Sequence, residues 1–208
     1  MRFPLGAAVA FTVVLVLASC DAVPAESPLV AQGDESQAEP PELHPVDSLF
    51  GHLAYEETAE TLADAGRYRD TGRVVQLRAE AARAFRAMQQ AARQAGVELV
   101  PISGFRTKSY QNGLFSRAIR KYGAEESAAR WVAPPGYSEH HSGLALDIGA
   151  LESPGTDVET TFEDTAAFAW LQDNAHRFDF EISFPRDNPQ GVSYEPWHWR
   201  YTGLADSP

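Results

Sequence analysis

A single cysteine, Cys20, stands in a chain of 208 residues. That scarcity excludes a disulfide framework, a cysteine-ligated zinc site and a cysteine nucleophile anywhere beyond residue 20. Lysine is almost as rare. Lys108 and Lys121 follow Phe105 and Ala118 by three places, so the Ser-x-x-Lys pattern of penicillin-binding serine enzymes is missing. Gly136-Tyr137-Ser138-Glu139 runs on into His140, not glycine, so there is no nucleophile elbow, and His-Glu-x-x-His does not occur. Basic charge is in deficit. Lys and Arg number 17 against 29 Asp and Glu, a net charge of −12, which excludes wrapping a nucleic-acid backbone as the chain's business. Hydrophobic residues nonetheless make up 44% and aromatics 11%, enough to bury a core and too much for wholesale disorder.

A membrane-spanning run is also missing. Leu5–Ala18, apolar except for Gly6 and Thr12, covers fourteen residues, whereas a span needs about twenty. Behind Met1-Arg2 it reads as a signal-peptide core. Leu17-Ala18-Ser19-Cys20 resembles a bacterial lipobox, which implies cleavage before Cys20, acylation of its thiol and a membrane partner. The expected organisation is a signal over residues 1–19, a linker over 20–49 and one domain over 50–208. The linker holds seven acids, no Lys or Arg, and Pro24, Pro28, Pro40, Pro41 and Pro45, a composition that repels itself and builds no core. Its seven acids, offset by the one basic residue of the signal, account for half of the imbalance, leaving −6 for residues 50–208.

Within the domain, Leu77, Ala81, Ala84, Phe85, Met88, Ala92 and Ala95 recur at three- and four-residue steps and predict a helix over 76–95, stopped by Gly96. A strand is expected over 97–102, helices over 109–121 and 124–131, and a strand over 144–148. A helix over 165–177 and strands over 178–184 and 197–201 follow. Helices first and short scattered strands after them predict an α+β fold, a single domain with a small central antiparallel sheet flanked by helices.

Chemistry concentrates in two stretches. On the strand ending Leu144-Ala145-Leu146-Asp147-Ile148 the apolar residues point one way, and Gly143, Ala145 and Asp147 the other. An acid on that small-residue face needs a metal or a base as partner. In Glu195-Pro196-Trp197-His198-Trp199-Arg200-Tyr201 the aromatics alternate with His198, which places it opposite a core-facing aromatic row. Pro196 keeps Glu195 extended at the strand's mouth. His140, Asp147 and His198 together would make a three-ligand zinc site with a position open for water, and Glu195 beside it the general base such a site needs. Spacing alone allows either His140 or His141. His44, His52 and His176 read as structural.

Ser138-x-His140-x-x-Gly143-x-Ala145-x-Asp147, followed by Glu195-Pro196-Trp197-His198-Trp199, resembles the zinc D-alanyl-D-alanine carboxypeptidases of the VanY type, a group that includes L,D-carboxypeptidases of the same fold. Ser103-Gly104-Phe105-Arg106-Thr107, with Gln111 and Leu114-Phe115 beyond, is similar to a third block of that family. The resemblance runs from about Gly51 to Gly203. It implies a hedgehog/DD-peptidase-like fold, zinc on His140, Asp147 and His198, and Glu195 as catalytic base. It implies Arg106, Gln111 and Ser138 as substrate contacts, and peptidoglycan stem peptides as substrate. Arg177-Phe178-Asp179-Phe180 departs from the pattern, since relatives usually carry a glycine before the second aromatic. The implied location is the bacterial cell envelope, on the outer face of the cytoplasmic membrane. The alternatives are an L,D-carboxypeptidase, a peptidoglycan endopeptidase of the same fold, and a zinc-containing binding module without activity, as hedgehog signalling domains illustrate.

Overall fold

The computed structural model describes residues 48–203. The signal, Cys20 and the linker up to residue 47 lie outside the described residues, as do residues 204–208. Two hairpins precede the first helix, which corrects the expectation that helices come first. β1 (Ser48–Leu49) pairs with β2 (His52–Leu53), so backbone pairing begins two residues before the expected domain start. β3 (Leu62–Tyr68) pairs antiparallel with β4 (Arg73–Arg78).

Gln76–Arg78, expected to open a helix, are the end of β4, and α1 runs Ala79–Gln94. Leu77 fits the helical series with Ala81 by spacing, but a buried strand position serves it equally well. The strand assignment has a consequence for the site. The Gln76 carbonyl accepts the Phe105 backbone N–H at 2.7 Å, tying β4 to the loop that carries Arg106. Gly104 permits that approach, because a Cβ there would lie 2.2 Å from the same oxygen.

The remaining elements sit close to expectation. They are β5 (Leu99–Ser103), α2 (Lys108–Tyr122), α3 (Glu125–Ala129), β6 (Ala145–Ala150), α4 (Ala166–Asn174), β7 (Phe180–Ile182) and β8 (His198–Tyr201). The Thr107 hydroxyl caps α2 by accepting from the Tyr110 N–H, and Gly123 ends it in the left-handed region at φ 86°. Helix α4 is capped the same way by Thr165 and passes into a 3-10 turn over Ala175–Phe178. The turn ends at Asp179, the position where a glycine is usual. It adopts φ 59°, ψ 33°, a left-handed conformation that aspartate tolerates better than most residues. Its carbonyl accepts the Thr202 N–H at 2.8 Å, so the departure from the family pattern costs the loop nothing visible.

Four strands form the central antiparallel sheet in the order β5-β6-β8-β7. Leu146, Ile148, Phe180 and Trp199 from this sheet join Phe85 and Met88 of α1, Phe168 and Leu171 of α4, and Val75 and Leu77 of β4 in one core. A smaller cluster, Phe115, Ala118, Ala128 and Ala129, joins α2 to α3. The opposite face of β6 and β8 is free for chemistry, and the β6–β8 register sets Asp147 directly across from His198. Among the described residues, no helix is long and apolar enough to cross a membrane.

Phe85 is fully buried and meets Phe180 edge-on at 6.4 Å. Phe85→Ala is expected to lower stability by about 3–5 kcal/mol through lost burial and the cavity left behind. A shift of the denaturant midpoint at unchanged slope checks this.

Candidate metal centre

The segment 136–143 enters β6 through two glycines, Gly136 at φ 88° and Gly143 at φ 70°, with a 3-10 turn over Glu139–Ser142 between them. This tight turn exposes the two neighbouring imidazoles to different surroundings, and their hydrogen bonds decide between them. The His141 Nδ1–H donates to the Arg106 carbonyl at 2.7 Å, and its Nε2 accepts the Gly136 N–H at 3.1 Å. Both ring nitrogens are thus in use. The His140 Nδ1–H donates to the Gly104 carbonyl at 2.7 Å, while its Nε2 is buried without a hydrogen-bond partner. A buried lone pair left bare is costly unless something fills it.

That lone pair faces Asp147, whose Oδ1 lies 3.4 Å away, and the same oxygen is 3.3 Å from His198 Nδ1. One ligand atom from each of His140, Asp147 and His198 falls within 4.8 Å of the other two. The three residues are almost completely buried. Two imidazole nitrogens and a carboxylate oxygen are the donor set that zinc takes, and the unpartnered His140 Nε2 is a lone pair suited to a cation. Glu195 stands beside them. Its Oε2 is 3.7 Å from His198 Nδ1, so despite strict alternation the proline-held turn swings it to the histidine's side.

The electrostatics are those of a site built around positive charge. Burial alone would raise the Asp147 pKa, but His140, Arg106 and His198 together hold it well below the ordinary carboxylate range. Burial, with Arg106 adding to it, lowers His140 to about 4, so it remains a neutral imidazole. Burial also acts to lower His198, yet the carboxylates of Asp147 and Glu139 on either side bring it up to about 10. Glu195 is pushed up to about 8 by burial, a shift that His198 opposes and Asp147 reinforces.

Of the expected substrate contacts, Arg106 reaches Asp147 Oδ2 through Nη2 and Ser103 Oγ through Nε at 2.9 Å, and Nη1 takes part in neither contact. Gln111 donates from Nε2 to the Ala133 carbonyl at 2.8 Å, and its Oε1 is buried without a partner. Ser138 is buried nearby. All three, with the metal-site residues and Glu195, line one cavity of about 640 Å³, walled farther out by Leu114, Trp131 and Val158.

The cavity also holds residues that sequence reasoning set aside. His52, read as structural, lines it while its Nε2 bonds the Ala129 carbonyl at 2.7 Å. Glu139 went unremarked between Ser138 and His140, although its Oε2 receives the His198 Nε2–H at 2.9 Å. An acid inside the histidine motif was the one available signal.

With the geometry in place, comparison with known proteins is direct. The family described as VanY: D-alanyl-D-alanine carboxypeptidase matches residues 74–204. The putative carboxypeptidase YodJ of Bacillus subtilis is 41% identical over 130 residues, covering 61% of this chain and 46% of its own. The chain thus spans about half the length of the curated relatives it matches. Among solved structures, the LdcB LD-carboxypeptidase superposes with a TM-score of 0.63 at 35% identity, covering 71% of this chain and 72% of its own. A mutant of the vancomycin-resistance D,D-pentapeptidase VanY, in complex with Zn(II), superposes with a TM-score of 0.56 at 31% identity, covering 70% and 80%. The ordered blocks around Arg106, His140 and His198, the sheet that brings them together, and a family match over most of the described residues lead to one conclusion: the chain belongs to the VanY D-alanyl-D-alanine carboxypeptidase family.

Proposed function

We propose that the domain is a zinc-dependent carboxypeptidase that removes the C-terminal D-alanine from peptidoglycan stem peptides. The observation that carries this reading is the gathering of His140 Nε2, Asp147 Oδ1 and His198 Nδ1 beside the Glu195 carboxylate in a peptide-sized cavity. Zinc held by these three residues supplies a Lewis acid and a bound water of near-neutral pKa. Burial, reinforced by Asp147 and opposed by His198, raises the Glu195 carboxyl to about 8, and a dication held beside it would favour the ionised form that accepts a proton. Its carboxylate takes the proton from the attacking water and delivers it to the departing D-alanine amine. Arg106 offers its remaining Nη1 to the substrate's terminal carboxylate or to the oxyanion. The unpartnered Gln111 Oε1 accepts a substrate N–H.

A second reading, an L,D-carboxypeptidase acting on tetrapeptides, draws on the LdcB likeness. Incubation with stem pentapeptide and tetrapeptide, followed by mass analysis of the products, separates the two. Loss of alanine from the pentapeptide alone is the expected result. Cleavage of the tetrapeptide alone would replace it with the L,D reading. No alanine release from either substrate by zinc-loaded protein would leave an endopeptidase or a binding module.

Glu195→Gln is expected to keep one zinc per chain and the fold while cutting kcat by at least about a hundredfold, because a positioned general base contributes about 10²–10⁴. Near-normal turnover in that variant would remove the mechanism. His198→Ala and His140→Ala are expected to lose stoichiometric zinc, and a chelator to silence the parent enzyme reversibly. Metal analysis of dialysed protein checks the first, and restoration by added zinc checks the second.

The reading extends to the N-terminus. The short apolar run and Leu17-Ala18-Ser19-Cys20 support export, cleavage before Cys20 and a lipid anchor on the outer face of the cytoplasmic membrane, with residues 20–47 as a tether. Cys20→Ser is expected to move the protein from the membrane fraction to the soluble one. A variant that stays with the membrane would exclude the thiol as the anchor.

A further inference from the structure

Glu139 is buried to 5% exposure, yet the turn it sits in does not need its carboxylate. Backbone bonds close that turn, from the His141 N–H to the Ser138 carbonyl at 3.0 Å and from the Gly143 N–H to the His140 carbonyl at 3.3 Å. The Ser142 hydroxyl donates to the backbone carbonyl of residue 139, not to its side chain. A buried carboxylate with no role in its own loop is expensive, and its partners show where its effect is felt.

Oε2 accepts the His198 Nε2–H at 2.9 Å. Oε1 accepts the Tyr55 hydroxyl at 3.3 Å and lies 3.5 Å from Arg200 Nη1. Tyr55 belongs to a segment that precedes the family match at residue 74. That segment is fastened to the same loop, with the Tyr55 N–H on the Gly136 carbonyl at 2.8 Å and the Thr58 N–H on the His141 carbonyl at 2.9 Å. The two nitrogens of His198 therefore have separate tasks. Glu139 accepts the Nε2–H, and Nδ1 is the ring nitrogen turned toward Asp147 and Glu195.

We propose that Glu139, braced by Tyr55 and Arg200, is a positioning residue that fixes the tautomer and orientation of His198 for the metal. The proposal rests on the zinc reading above. Outer partners of this kind raise ligand basicity and hold the ring, and losing one typically weakens metal binding by about 10–100-fold. The segment carrying Tyr55 is then part of the metal site, not a mere lead-in to the domain.

The test is zinc affinity, measured by competition with a chromogenic chelator, and the visible spectrum of the Co(II)-substituted protein. Glu139→Ala is expected to weaken zinc binding by about 10–100-fold. Glu139→Gln keeps the shape and an acceptor for Nε2–H and should recover part of that loss, with a shifted Co(II) spectrum. Tyr55→Phe should show a smaller loss in the same direction. If the alanine variant fails to fold, the isosteric Gln variant decides alone. Parent-like zinc affinity and an unchanged Co(II) spectrum in Glu139→Gln would overturn the proposal while leaving the zinc reading intact. A parent protein that takes up no zinc would overturn the zinc reading itself, and the role of Glu139 with it.

Discussion

Asp147 is a carboxylate on a central strand with 2% of its surface exposed, and the arrangement around it answers that one constraint. A buried charge survives only with partners on every side. Arg106 meets one of its oxygens, and His140 and His198 meet the other. Each partner brings its own requirement. Arg106 needs the Ser103–Thr107 loop held in place, which β4 does through the Gln76 carbonyl. His140 needs its Nδ1 proton accepted, which the Gly104 carbonyl of that same loop does. His198 needs its Nε2 proton accepted, which Glu139 does. Few of these contacts could be removed without leaving a buried group unpaired.

The strand periodicity of two converts this cluster into a rigid site. Leu146 and Ile148 on one face of β6, and Trp199 on β8, are sealed in the core against α1 and α4. Asp147 and His198, on the other face, inherit that rigidity, because the backbone cannot shift without unpacking the aromatics. Ala145 and Gly149, flanking Asp147 on its own face, are small enough to leave room for the imidazoles and the carboxylates.

What the sequence made legible was this periodicity and the motif order. Asp147 and His198 could be placed because alternation along two short strands assigns faces without knowledge of the rest, and Glu195 because Pro196 keeps it extended at the strand's mouth. The hairpin β3–β4 was missed for equally physical reasons. Leu62-Ala63-Asp64-Ala65-Gly66-Arg67-Tyr68 contains a bulge between Asp64 and Gly66, so its alternation slips midway. Leu77 satisfied the helical spacing of its neighbours and hid the strand that ends at Arg78. The choice between His140 and His141 was open because spacing allowed both. It is the backbone carbonyls of Gly104 and Arg106, each accepting from a different ring, together with the Gly136 N–H, that separate them.

Glu139 and Tyr55 were illegible for a different reason. Their meaning lies in contacts across 59 and 84 positions of the chain, which no local pattern records. Glu139 shows the limit most clearly. Adjacent to a ligand in sequence, it reads as a polar residue of a turn, yet its carboxylate is directed at the other histidine, on another strand. The cluster gathers Asp147, Glu139 and Glu195 around two imidazoles, with Arg106 and Arg200 beside the first two carboxylates and the His140 Nε2 lone pair unpartnered in their midst. A dication held there would satisfy that lone pair, take the Asp147 and His198 donors that already face it, and favour the ionised form of the buried Glu195, so one charge would serve both the ligands and the base.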